Sequence, residues 1–139
     1  LVRTYGTQDL IVNIPITRDG LYVCQMLNAK DIKVNITQVY NAAQAVLAAK
    51  AGAAYVSVDV DRIDMQGYAG LEVVRSITGL YCQQSVSTKV IATGIVTPHR
   101  AVRSIFNGAA IVDMTGSVFD AMYEHILTKS HLELRELFE

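Results

Sequence analysis

From Leu10 to Thr115, short apolar runs of strand length alternate with longer segments whose apolar residues recur at helical spacing. "LIVNIP" (Leu10–Pro15) predicts a strand, and "TRDGLYVCQMLNAKD" predicts a helix with Leu21, Cys24 and Leu27 on one stripe and Thr17 as N-cap. "IKVNITQVY" (Ile32–Tyr40) predicts the second strand, followed by a helix in "NAAQAVLAAKAGA" closed by Gly52. The third strand, "AYVSVDVDRID", alternates clearly: Val56, Val58 and Val60 share one face, and Tyr55, Ser57, Asp59 and Asp61 the other. "GYAGLEVVRSITGLYCQQ" predicts a helix with Leu71, Val74, Ile77 and Leu80 on one stripe. "KVIATGIV" is a fourth strand, and Pro98 opens the helix "PHRAVRSIFNGA" at N1. "AAIVDMTG" is a fifth strand, and "SVFDAMYEHILTKSHLELRELFE" makes one or two closing helices. "AKAGAAYVSV" and "FNGAAIVDM" echo each other as helix, Gly, Ala-Ala, strand, which fits a repeated βα unit entered through the same tight turn.

Five βα units in series fit either an open doubly wound sheet or part of a (β/α)8 barrel. A full barrel takes about 250 residues, so a chain of 139 residues, read as one domain over 1–139, is too short for eight units. Polar residues on one face of several strands favour the barrel, because strands of an open parallel sheet bury both faces. Parity then proposes an inward set: Asn13; Asn35 and Thr37; Ser57 and Asp59; Ala92 and Gly94; Asp113 and Thr115. Asn13 stands out, since an amide buried in an apolar strand must find hydrogen-bond partners.

Half the residues are hydrophobic and the net charge is −1, as in a globular protein. No basic stripe points to nucleic acid, and no apolar run approaches the roughly 20 residues of a membrane helix. Cys24 and Cys82 form no CxxC and no Cys/His cluster, so they read as free thiols of a reducing compartment. His99, His125 and His131 all fall in predicted helices. No phosphate-cradling glycine loop, HExxH or EF-hand loop occurs. Tyr40 and Tyr55 read as core. The chain starts at Leu1 without methionine, and "LVRTYGTQ" looks like the tail of an earlier helix, which raises the expectation of a piece of something larger.

"IVNIPITRDGL", "VNITQVYNAAQAVLAAKAGAAYVS", "VDRIDMQGYAG" and "VIATGIVTPHRAV" together resemble the small transaldolases and fructose-6-phosphate aldolases. The likeness runs from about Leu10 to the C-terminus and is specific in order and spacing. It implies a cytoplasmic (β/α)8 TIM barrel, often in pentamer-based rings, in which a lysine forms a Schiff base with a phosphorylated keto sugar without metal or other cofactor. It implies further that the five units are strands four to eight of that barrel, with strands one to three supplied by a missing N-terminal segment. Asn13 then stands where the family reads "VKIPVT" or "VKVPVT" and carries the Schiff-base lysine. Thr37 keeps the family's threonine that orients the catalytic water, and Arg62 keeps the arginine that binds the sugar phosphate. Asp59 falls where the aldolase branch has a proton-handling tyrosine, and Gly94 where a phosphate-binding serine is common.

A carboxamide cannot replace the lysine, because its nitrogen lone pair is delocalised and does not add to a carbonyl. Among the five lysines, Lys33 and Lys89 lie at strand starts, and Lys30, Lys50 and Lys129 read as solvated. Three functions therefore stand side by side. One is an aldolase or transaldolase by descent. Another is a non-catalytic sugar-phosphate-binding or assembly subunit. The third is a divergent enzyme using Asp59 and Asp113 as acid/base pair or weak metal ligands. Arg62 could equally be a salt-bridge partner of Asp61 or Asp64, and the inward carboxylates could be hydrogen-bonded to Asn13, Asn35 or Thr37.

Overall fold

The computed structural model describes residues 10–136; the "LVRTYGTQ" stretch lies outside them. Five strands alternate with helices: β1 (Ile11–Pro15), α1 (Arg18–Asn28), β2 (Lys33–Thr37), α2 (Ala42–Lys50), β3 (Tyr55–Asp59), α3 (Val60–Met65), α4 (Gly70–Gln83), β4 (Lys89–Ile95), α5 (Pro98–Phe106), β5 (Ile111–Met114), α6 (Gly116–Ala121) and α7 (Ile126–Glu136). Thr17, Asn41 and Thr97 start α1, α2 and α5 as side-chain N-caps, accepting from Gly20 N, Gln44 N and Arg100 N.

The strands pair in chain order, β1-β2-β3-β4-β5, and every neighbouring pair is parallel. A doubly wound sheet reverses its strand order at a switch point; this sheet never does. Right-handed crossovers of one sense put all the helices on one face. That face holds the core: Val34, Ile36, Val56, Val58 and Ala92 are fully buried there with Ala45, Ala48, Val74, Ile77 and Ala101 from the helices. The opposite face carries no helix among the described residues, and Ile11 and Ile111 remain 49% and 42% exposed on it. The architecture is an α/β fold consistent with part of a TIM barrel.

The echo noticed in the sequence is fourfold in the structure. Residues Asp31, Gly52, Ser85 and Gly108 each adopt a left-handed conformation, with φ of 56°, 83°, 52° and 93°. The N–H that follows each, on Ile32, Ala53, Val86 and Ala109, donates to a carbonyl five residues back, on Leu27, Ala48, Tyr81 and Ser104, at 2.8–3.1 Å. This is a Schellman-type closure, which satisfies carbonyls at the helix end and turns the chain into the next strand. Ala54 N and Ala110 N then bond to Val34 O and Val90 O, starting the next ladder. Glycine made two of these turns visible. Asp31 and Ser85 hid the other two, because an L-residue there accepts a strained φ.

Three expectations change in detail. The third strand ends at Asp59, so Val60 and Asp61 belong to α3 and not to the strand alternation. The buried stripe of α4 is Gly70, Val74, Ile77 and Tyr81; Leu71 and Leu80 flank it, half-buried. The Tyr81 hydroxyl donates to Ala45 O at 2.6 Å, tying α4 to α2, and burial pushes its pKa well up. His125 precedes α7, where its Nδ1 accepts from Leu127 N at 3.2 Å, and is not helical. The cysteines are free: Cys24 is buried with its thiol 3.5 Å from Ala51 O, and Cys82 is exposed.

Glycine relieves a left-handed position that serine strains. Ser85→Gly is expected to raise unfolding stability by about 0.5–1 kcal/mol, and Gly52→Ser to lower it by about 1–2 kcal/mol. Urea unfolding of both variants measures this; a destabilised Ser85→Gly variant would show that the shared turn does not govern these junctions.

Candidate functional site

The uncovered face of the sheet is polar along its middle. Asn13 on β1 is the register partner of Asn35 on β2. Asn35 is 5% exposed and its amide is fully engaged: Nδ2 donates to Asn13 Oδ1 at 3.0 Å and to Ser57 Oγ at 2.8 Å, while Ser57 Oγ lies 3.1 Å from Asn35 Oδ1 as a donor. The buried polar group is therefore Asn35, supported by Ser57, and Asn13 is the exposed end of the line. The expectation of a buried Asn13 fails because no layer among the described residues covers this face. With Oδ1 engaged, Asn13 presents its NH2 to the cavity.

That cavity measures about 730 Å3. It brings together Asn13, Asn35, Thr37, Ser57, Asp59, Arg62 and Asp113 of the sequence-predicted set. Thr37, Asp59 and Asp113 lie at or near the C-terminal ends of their strands, where barrels of this kind gather functional groups. On β4 the parity was wrong. Asp59 pairs with Thr93 and Ser57 with Ile91, so Ile91 and Thr93 face the cavity, while Ala92 is buried under the helices. Thr115 follows β5 and its hydroxyl lies 2.9 Å from that of Ser117. Gln38 and Tyr40 also line the cavity and were missed. Gln38 has φ of 60°, a strained conformation immediately after a strand end, which no sequence pattern announced. Tyr40 and Tyr55 are half-buried and not fully in the core.

Gly94 does not line the cavity. It sits at φ 68° where the β4–β5 register shifts, and a Cβ there would run into the Asp59 carboxylate and lie 3.1 Å from Asp61 N. Asp59 itself caps α3: its Oδ1 accepts from Arg62 N at 3.0 Å. The carboxylate thus bonds the helix start, in place of the bonds to Asn13, Asn35 or Thr37 considered from the sequence. Its second oxygen stands 3.9 Å from the Arg62 guanidinium, a long and exposed pairing that contributes little.

Arg62 does not pair with Asp61 or Asp64. Both are held by Arg100 at the start of α5, at 2.9 Å each, in a half-buried bridge. Asp64 also accepts from Gly70 N at 2.7 Å, which closes the loop between α3 and α4. The sequence reading missed Arg100, since its partners lie 36 and 39 residues away. With Asp61 and Asp64 occupied, Arg62 is left as an exposed cation at the cavity edge. None of the residues lining the cavity is a lysine, and the described residues hold no cluster of three or more His, Cys, Asp or Glu side chains suited to a metal ion. No helix among them is long and apolar enough to cross a membrane.

Residues 1–139 match the family described as Transaldolase/Fructose-6-phosphate aldolase. A probable transaldolase of Thermus thermophilus is 39% identical over 120 residues, which cover 86% of this chain and 54% of that protein. A probable transaldolase of Caulobacter vibrioides is 35% identical over 125 residues, covering 90% and 58%. The chain thus spans little more than half the length of these relatives. Among solved structures, a mutant flavocytochrome b2 superimposes with a TM-score of 0.56 at 17% identity over 68% of this chain and 26% of that one. A mandelate oxidase gives 0.52 at 20% identity over 68% and 28%. These two likenesses concern the fold alone.

The room that a side chain at position 94 would need is taken by Asp59. Gly94→Ser is therefore expected to cost about 1–2 kcal/mol, and about 1 kcal/mol less in an Asp59→Ala background. A double-mutant cycle by urea unfolding measures the coupling; purely additive effects would separate the two positions.

Proposed function

The chain belongs to the transaldolase/fructose-6-phosphate aldolase family, and we propose that its polar cavity binds a phosphorylated keto sugar without forming a Schiff base from its own residues. The observation that carries this reading is Asn13: an exposed carboxamide, anchored through Asn35, at the position where the resemblance expects the nucleophilic lysine. An amide holds a carbonyl or hydroxyl by hydrogen bonds but does not add to it. Lys33 and Lys89 share the inward parity but lie at the N-terminal ends of their strands, with Lys33 about 7 Å along the strand from Asn35. Arg62 supplies a guanidinium for the phosphate, and Thr37, Asn13 and Ser57 supply groups for sugar hydroxyls.

The uncovered inner face supports a second element of the proposal. Five strands with exposed Ile11 and Ile111 work together with further strands, from a longer chain or from another copy in an oligomer. The placement of the five units as strands four to eight of a barrel belongs to the same reading. The alternative of an Asp59–Asp113 acid/base or metal site is weaker, because Asp59 is committed to capping α3.

Two measurements test this. After incubation with dihydroxyacetone and borohydride, the intact mass is expected to stay unmodified while an active aldolase treated in parallel gains a reduced three-carbon adduct. An adduct on this chain would place imine chemistry on one of its lysines and overturn the reading of Asn13. Arg62→Gln is expected to weaken dihydroxyacetone phosphate about tenfold in calorimetric titration; an unchanged affinity would remove Arg62 from the phosphate site.

A further inference from the structure

A second cavity of about 660 Å3 adjoins the polar one and differs from it in kind. Its walls are Ile63 of α3, Val73 of α4, Tyr40 and Tyr68, with Asn41 and Gln66 as polar neighbours. Among the described residues that line it, Arg62 alone is charged. Tyr40 and Arg62 line both cavities and form the divide between them.

The charge of Arg62 is poorly compensated. Its side chain is 67% exposed, its nearest carboxylate stands at 3.9 Å, and that carboxylate already caps the helix start. Asp61 and Asp64, the other acids of the helix, are drawn to Arg100 on the far side of the loop. A single cation at the edge of a mostly apolar pocket, with two tyrosines beside it, selects an amphipathic anion. The rings favour a flat aromatic body over a sugar. One guanidinium fits one carboxylate in a bidentate fork.

We infer that this pocket is a distinct binding site for a small aromatic carboxylate, held through Arg62 and seated between Tyr40 and Tyr68. The inference goes beyond the sugar-phosphate reading and does not require it. Because both cavities use the same guanidinium, an aromatic carboxylate and a phosphorylated sugar would exclude one another if both readings hold.

Methyl-labelled protein titrated with 2-naphthoate, and separately with its neutral analogue 2-naphthamide, tests the site. The expected result is saturable shifts at Ile63 and Val73, with 2-naphthoate at least about tenfold tighter than the amide. Arg62→Gln should abolish that difference, and Tyr68→Ser should weaken both compounds; both side chains are largely exposed, so the fold is expected to survive either change. No binding, equal affinity for the two compounds, or shifts centred on Ile11 and Ile111 of the other cavity would overturn the proposal. Dihydroxyacetone phosphate, followed at Ile11 and Ile111 in the same samples, reports on the sugar-phosphate reading by itself, so that either can fail while the other stands.

Discussion

The structure depends on burying one face of a parallel sheet. Valine, isoleucine and alanine on β2, β3 and β4 pack against small and branched residues of the helices, and that one-sided burial is what holds the strands in chain order. Apolar burial contributes roughly 25 cal/mol per Å2 and has no direction of its own. Direction comes from the turns. Four left-handed residues, each followed by a hydrogen bond to the carbonyl five residues back, send α1, α2, α4 and α5 into the strands that follow them in the same way. With all crossovers of one hand, the second face of the sheet has no helix to bury it. The polar line on that face is the consequence: Asn35 can be nearly buried in a sheet only because Asn13 and Ser57 complete its hydrogen bonds.

Above that line, the C-terminal ends of β3 and β4 are fixed by a charge arrangement that spans four elements. Arg100 takes both Asp61 and Asp64, Asp64 takes the N–H of Gly70, and Asp59 caps the same short helix. Arg62 is the member left over, and the helix that carries it is fixed by Asp59 at the cavity and by Arg100 and Gly70 outside it. Gly94 belongs to the same arrangement by exclusion, since the space its side chain would need is filled by Asp59. Positions 59 and 94 are thus physically coupled: an acid that caps a helix and a glycine that makes room for it.

The fold was legible because its signals are periodic or local. Strand and helix repeats, the N-cap at Thr17, Pro98 at N1 and the Gly-Ala-Ala echo each need only a short window of sequence. Much of the cavity was legible for the same reason, through the alternation on β3. What failed needed more than one window. The facing of β4 depends on its register with β3, and the bulge at Gly94 interrupts the simple alternation. Arg100 meets its acids across a whole βα unit. Asn13 looked buried because it interrupts an apolar strand, and single-sided winding leaves the face it points to without a helix among the described residues.

The exposure of Asn13 bears directly on its chemistry. A lysine acting as a nucleophile must be partly neutral, and low-polarity surroundings favour the neutral amine. The inner face of these five strands is open, and at Asn13 it is wet and hydrogen-bonded. An amine placed there would be solvated and charged, so Asn13→Lys alone would not supply the surroundings that activate a nucleophilic lysine. A carboxamide has no such requirement, since it stays a neutral donor whether or not other strands close over it. The Asn13–Asn35–Ser57 line is therefore suited to recognition by hydrogen bonding, and the closing of the inner face would change its affinity by excluding water without changing its protonation state.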